Sequence, residues 1–272
     1  TDLTSADLTG ANLAEADLDG ARLEQAKLVD ADLTEASLLG THLFGADFSG
    51  ACLVHADLRG CAAGDVKLDG ADLTSSDFDG VDLTGATFFG ATMVKVSMEK
   101  VRGVGARFDG LTMVDVDFSD ADLTGASFNE ADVTRVCFEG AKLSRSTFLE
   151  ATARDADFSR STLERADLRG ADLRGAQFEG AQCLQARFGL CTLDRAQFPG
   201  ADLRRASFAQ ASAKWVDWSH AKLDLADFTD ADLEGGVMHA VSAEGSIFKN
   251  SNTKDVSATD EERLRGEAPG RG

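Results

Sequence analysis

Written in fives from Thr1, the chain reads TDLTS ADLTG ANLAE ADLDG ARLEQ and keeps that phase to SNTKD at 251–255, which makes 51 blocks without an insertion. The third place is almost always large and apolar: Leu3, Leu8, Leu13 and Leu18 at the start, Phe108, Phe118, Phe128 and Phe138 further on; Ala63, Gly103, Ala153, Cys183, Ala213, Ala243 and Thr253 break the rule. The first place is small, usually Ala. Asp fills the second place 19 times and Gly the fifth 20 times, residues that favour turns over regular helix. A period of five suits no α-helix, because positions five apart lie about 500° round the axis and wind off any face. It suits no plain strand either, since an odd period sends successive Leu side chains to opposite sides. A chain that turns a corner every five residues does fit. The first and third places then point inward, the others point out, and Gly sits where the corner needs backbone freedom.

These A-(D/N)-L-x-x blocks resemble the pentapeptide-repeat family over residues 1–255 of 272. The motif says little as one copy and a great deal as 51 in phase. The resemblance implies an all-β, right-handed quadrilateral β-helix with four blocks per coil and about 13 coils, roughly 60 Å long at one strand spacing per coil. On that reading residues 1–255 form the β-helix, and residues 256–272 a short helical cap with a flexible tail. Ser257-Ala258-Thr259-Asp260-Glu261-Glu262 supplies the helix start, and the helix is expected to last to about Arg265.

Four blocks per coil predict that residue n stacks on n+20, and the third-place residues sort accordingly. One series holds Phe48, Phe88, Phe108, Phe128, Phe148, Phe188, Phe208, Phe228 and Phe248, and another holds Phe78, Phe118, Phe138, Phe158, Phe178, Phe198 and Trp218. The remaining two series contain no aromatic residue. Aromatic columns therefore line two opposite walls, with smaller residues between them, as a fixed square interior requires. The stretch Val101-Arg102-Gly103-Val104-Gly105 lacks its wall residue, so either a bend or shallow groove forms there or a bulky neighbour takes up the slack.

Little in the sequence suggests chemistry. Cys52, Cys61, Cys137, Cys183 and Cys191 include no C-x-x-C pair and none stacks on another, so no disulfide is expected and a reducing cytoplasm fits. His42, His55, His220 and His239 are scattered, without zinc-ligand spacing. The acid sets Asp115/Asp117/Asp120/Asp122 and Asp77/Asp79/Asp82 lack the glycine and terminal glutamate of calcium loops. No metal, cofactor or catalytic residue is expected, and the chain is read as non-enzymatic. No apolar run is long enough for a transmembrane helix.

The net charge of −20 disfavours direct binding of nucleic acid. The register gives this charge a location. With walls A to D starting at residues 1–5, 6–10, 11–15 and 16–20, wall A sums to −1, B to −4, C to −5 and D to −9; residues 1–140 carry −17. Second-place charges on walls A and B alternate in sign, whereas this column on wall D holds no base. Its Asp57 and Asp77 would stack as a like-charge pair, which should destabilise. The expected partner-binding face is this acidic wall: Asp17, Asp19, Asp57, Asp77, Asp79, Asp117, Asp120, Glu139 and Asp157.

The leading expectation is a rigid interaction scaffold that binds a protein partner, a basic one by charge, through this face or an uncapped coil end. The family resemblance implies an alternative. Some relatives imitate duplex DNA and protect DNA gyrase from inhibitors, and an acidic rod offers carboxylates in place of phosphates. A third expectation is the repeat domain of a larger bacterial secretion-associated protein, since the chain begins without Met and its first coil is bare. Monomer and end-to-end dimer both stay open.

Overall fold

The computed structural model describes residues 1–260. Nearly every block closes a four-residue turn: the first-place N–H of the next block donates to the third-place carbonyl, as Ala6 N does to Leu3 O at 3.0 Å. The fifth place has φ between 52° and 76° at every one of the 51 corners, and the fourth place at none of them, which defines a type II turn. Pro199-Gly200 gives that turn its preferred pair. The other non-glycine corners, 31 in all, hold L-residues in the left-handed region at roughly 1 kcal/mol each, so the surrounding ladder must impose the geometry.

That ladder has a register of twenty residues. Parallel bridges run from Asp2↔Arg22 to Val237↔Ser257, and the two-residue strands Met93–Val94 (β1) and Met113–Val114 (β2) pair in the same register. Second-place N–H groups donate to the layer before (Arg22 N to Thr1 O, 2.9 Å), and third- and fifth-place groups to the layer after (Leu3 N to Arg22 O, 2.7 Å; Ser5 N to Glu24 O, 2.9 Å). With the turn bond, four of the five N–H groups in a block find backbone partners. The fourth-place N–H does not, and this omission governs the outer surface. The molecule is a parallel β-solenoid.

Inside, first and third places are buried from Leu18 to Gly236, and the aromatic columns stack layer on layer. Phe178 lies 4.5 Å from Phe198 with rings 3° from parallel, and Phe128 lies 4.7 Å from Phe148. Rings on the two opposite walls also meet edge to face, Phe128 with Phe138 at 5.5 Å and 85°. Rings in mid-column such as Phe128 and Phe138 thus have stacked neighbours above and below and perpendicular ones across, contacts worth about 0.5–1.5 kcal/mol apiece beyond area burial. Trp218 continues this pattern fully buried, but its indole N–H has no acceptor.

At Gly103 the ladder is unbroken: Arg102 bridges both Asp82 and Asp122, and Gly103 N donates to Asp122 O at 2.9 Å. Leu123 takes the vacated space, its Cδ2 standing 3.1 Å from where a Cβ would sit. The slack is filled and no bend forms. At the other end, Ser257 still pairs in the ladder and no helix forms up to Asp260; the rest of the expected cap, from Glu261 on, lies outside the described residues. All five cysteines are free thiols. Among the described residues no helix is long and apolar enough to cross a membrane.

Candidate partner-binding face

The fourth-place N–H explains the second-place aspartates. All 19 of them accept it through Oδ1 at 2.8–3.4 Å. Asn12 and Asn252 do the same. At five of the six places where Ser takes the second position, the acceptor comes from the layer beneath. Asp19 accepts Leu39 N and Ser37 Oγ, and Asp79 accepts Glu99 N and Ser97 Oγ. A backbone donor left unmatched at a half-buried corner costs on the order of 1 kcal/mol, so these carboxylates hold the walls as well as charging them.

On wall D, seven of the nine predicted acids have this capping duty: Asp17, Asp19, Asp57, Asp77, Asp79, Asp117 and Asp157. Asp120 and Glu139 do not. The column itself reads Asp17, Ser37, Asp57, Asp77, Ser97, Asp117, Cys137, Asp157 in bridged succession, so neutral residues separate the acids except at Asp57–Asp77.

The structure places a base against the expected repulsion at that pair. Arg59, in the fourth place of the same wall, grips Asp57 with Nε at 2.9 Å and Nη2 at 2.6 Å, and its Nε lies 3.5 Å from Asp77. The Arg59 hydrogen bond holds the Asp57 carboxyl below its ordinary range. Burial raises that of Asp77, helped by the neighbouring Asp79 and Asp57 charges and only partly opposed by the Asp79 N–H hydrogen bond and the more distant guanidinium. Arg160 similarly pairs with Glu139. Both arginines escape a reading by twenty-residue stacking: Arg59 meets Asp57 two residues before it and Asp77 eighteen after it, and Arg160 meets Glu139 twenty-one before it.

The acids form three groups along the wall: Asp17/Asp19; Asp57/Asp77/Asp79 around Arg59; and Asp117/Asp120/Glu139/Asp157 beside Arg160. A shallow hollow of about 370 Å³ opens between Glu139, Asp157, Arg160 and Glu179 in the last group. Cys137, Glu139 and Asp157 are close enough to share a cation, but Glu139 is neutralised by Arg160 and Asp157 Oδ1 already takes Ser159 N–H. Burial raises the Cys137 thiol above its ordinary range, against thiolate ligation.

Walls A and B offer a contrast. There second-place acids meet bases one layer away: Asp2–Arg22 at 3.8 Å, Asp47–Lys67 at 3.5 Å, Asp82–Arg102 at 2.9 Å and Asp122–Lys142 at 3.7 Å. On wall D, Asp17, Asp117, Asp120 and Asp157 have no such partner among the described residues.

Comparison with known proteins gives a consistent picture. The profile of the pentapeptide repeat region matches residues 71–148 and 111–188, and that of pentapeptide repeats (8 copies) matches 1–34, 26–61, 171–210 and 203–241. Among solved structures the chain is similar to HetL, a pentapeptide repeat protein involved in heterocyst differentiation regulation from the cyanobacterium Nostoc sp., at 26% identity over 90% of each chain and a TM-score of 0.32. It is similar to QnrB1, a plasmid-mediated fluoroquinolone resistance protein, at 17% identity over 84% of this chain and 92% of that one, with a TM-score of 0.26. A pentapeptide repeat protein of the Arabidopsis thaliana thylakoid lumen is 33% identical over 39% of this chain and 64% of its own, with a TM-score of 0.13. No curated protein sequence matches.

Proposed function

The chain belongs to the pentapeptide-repeat family, and from that premise we propose that it is a rigid, non-enzymatic scaffold that binds a basic protein partner along wall D. We read the solenoid as a right-handed, four-sided coil of about 13 turns over residues 1–255, working in a reducing cytoplasm. The observation that carries the proposal is the uneven neutralisation. Walls A and B match acids to bases in register, while Asp17, Asp117, Asp120 and Asp157 stand without ion pairs on one straight face. Three of these are fixed by backbone hydrogen bonds, so little side-chain freedom is lost on binding. Capture experiments with the full chain test this, comparing the wild type with the D17N/D117N/D157N variant. Asparagine keeps the backbone hydrogen bond and removes the charge. The proposal expects a basic protein retained by the wild type and lost by the variant at unchanged melting temperature; equal retention would remove the electrostatic reading.

A second reading, imitation of duplex DNA toward DNA gyrase, is favoured by the concentration of −17 in residues 1–140. A supercoiling assay separates the two: an unaffected gyrase in the presence of a large excess of the protein rejects it.

A further inference from the structure

Diagonally across the square from the C/D edge, the A/B edge has the opposite character in the second half of the rod. Its fifth-place column contains Arg145, Arg165, Gln185, Arg205 and Leu225 in successive layers. In the layer where Gln185 replaces arginine, Arg187 supplies a guanidinium from two residues further on. Four consecutive layers therefore carry one arginine each, a strip about 14 Å long at one strand spacing per layer. The four line a hollow of about 490 Å³.

The acid in this hollow is already committed. Asp167 takes two hydrogen bonds from Arg169 at 2.8 Å and lies 3.4 Å from Arg187. Arg165 Nε donates to Gln185 Oε1 at 2.8 Å, which aims its guanidinium along the strip, and it lies 3.8 Å from Glu164, a loose and exposed pair. Arg145 and Arg205 are exposed and have neither an ion pair nor a side-chain hydrogen bond among the described residues. This is costly placement for a chain with 47 acids against 27 bases, because each arginine had many acids available to pair with.

We propose that this strip is a second docking surface, which takes an extended acidic peptide segment of a partner protein. An extended chain places every second side chain about 7 Å apart, so three alternating carboxylates span the four guanidiniums, each shared between neighbours. Leu225, half-exposed in the next layer, gives the strip an apolar end that favours an apolar residue beyond the acids. Nucleic acid fits less well. A longer polyanion would run off the strip onto a rod of net charge −20, and no exposed aromatic ring lines the hollow for base stacking.

The test uses the full chain and a fluorescein-labelled peptide of sequence Glu-Thr-Glu-Thr-Glu-Thr-Leu, with binding read by fluorescence anisotropy at about 0.05 M salt. Binding should weaken about tenfold in the R145Q/R205Q variant and vanish in R145E/R205E. Glutamine occupies the same left-handed corner at Gln25, Gln185 and Gln210, so the first variant should fold, as its melting temperature will check. No binding up to about 1 mM peptide, or equal binding by the R145Q/R205Q variant, overturns the proposal. So does tighter binding of a twelve-residue oligothymidylate, which assigns the strip to nucleic acid. Self-association of the rod that these substitutions abolish and the peptide does not compete with would assign it to a second copy.

Discussion

Asp117 offers a direct test of what the second-place aspartates do. Its Oδ1 accepts Ser119 N–H at 2.8 Å and Ser119 Oγ–H at 2.5 Å, and no backbone carbonyl is in position to take the amide instead. Asp117→Ala removes both acceptors at a half-buried corner. By analogy with helix N-caps and unmatched buried donors, the cost is about 1–2 kcal/mol, or a fall of roughly 2–8 °C in melting temperature for a chain of this size. Asp117→Asn keeps the acceptor, as Asn12 and Asn252 already do elsewhere in the rod, and relieves charge on the most acidic wall. It should stay within about 0.5 kcal/mol of the wild type. Calorimetry gives the melting temperatures, and amide hydrogen exchange gives a local readout. Ser119 N–H should lose protection in the alanine variant and keep it in the asparagine variant. If the two variants melt alike, or Ser119 exchanges equally in both, the capping explanation is wrong and these aspartates are only surface charge.

Arg59→Gln should lower the melting temperature at low salt, because Asp57, Asp77 and Asp79 lose their common counter-ion, and most of this should return at about 0.5 M salt; a salt-independent loss contradicts the pairing. Asp77→Asn should raise the melting temperature at pH 7. A carboxylate whose pKa is higher folded than unfolded costs stability when ionised, so the gain should fade as pH drops below about 4 and both states protonate; a constant gain refutes this. Asp172 runs the other way. Burial opposes its ionisation, but hydrogen bonds from Arg174 and Arg154 prevail and bring it down to about 2. The stability it contributes is present above pH 4 and lost between about 4 and 2, and R154Q/R174Q should flatten that limb of a pH–stability curve. Trp218→Phe should cost under about 1 kcal/mol despite complete burial, since losing the unmatched indole N–H offsets the small cavity; Phe198→Ala should cost about 3–5 kcal/mol, and similar losses for the two in denaturant unfolding would contradict this.

The interior was legible because its period is arithmetic. Once Phe108, Phe128 and Phe148 are seen twenty apart, the column, its opposite at Phe118 and Phe138 and the absence of rings between them all follow. The outer surface was harder to read, because a residue type does not state which backbone donor lacks a partner. Asp19 and Asp79 looked like corner charges, yet each substitutes for the cap that Ser37 and Ser97 cannot provide. A sequence trace of this exists. Asp at n goes with Ser at n+18 for Asp19/Ser37, Asp79/Ser97, Asp109/Ser127, Asp194/Ser212 and Asp224/Ser242, a pairing visible only once the unmet donor is known. Arg59 and Arg160 evade the twenty-residue arithmetic altogether, because they meet their acids at offsets of two, eighteen and twenty-one.

The left-handed corners have a further consequence for how such a molecule acquires specificity. They hold Glu, Lys, Arg, Trp and Leu as well as Gly, at a cost the ladder absorbs, and each emerges on one of four edges at a fixed rung. An edge is therefore a ruler graduated in strand spacings, on which one mark can be rewritten without moving the next. Duplicating twenty residues adds one mark to every edge at once. A protein built this way changes its address by spelling rather than by reshaping a pocket, and the length of the message is limited only by the length of the rod.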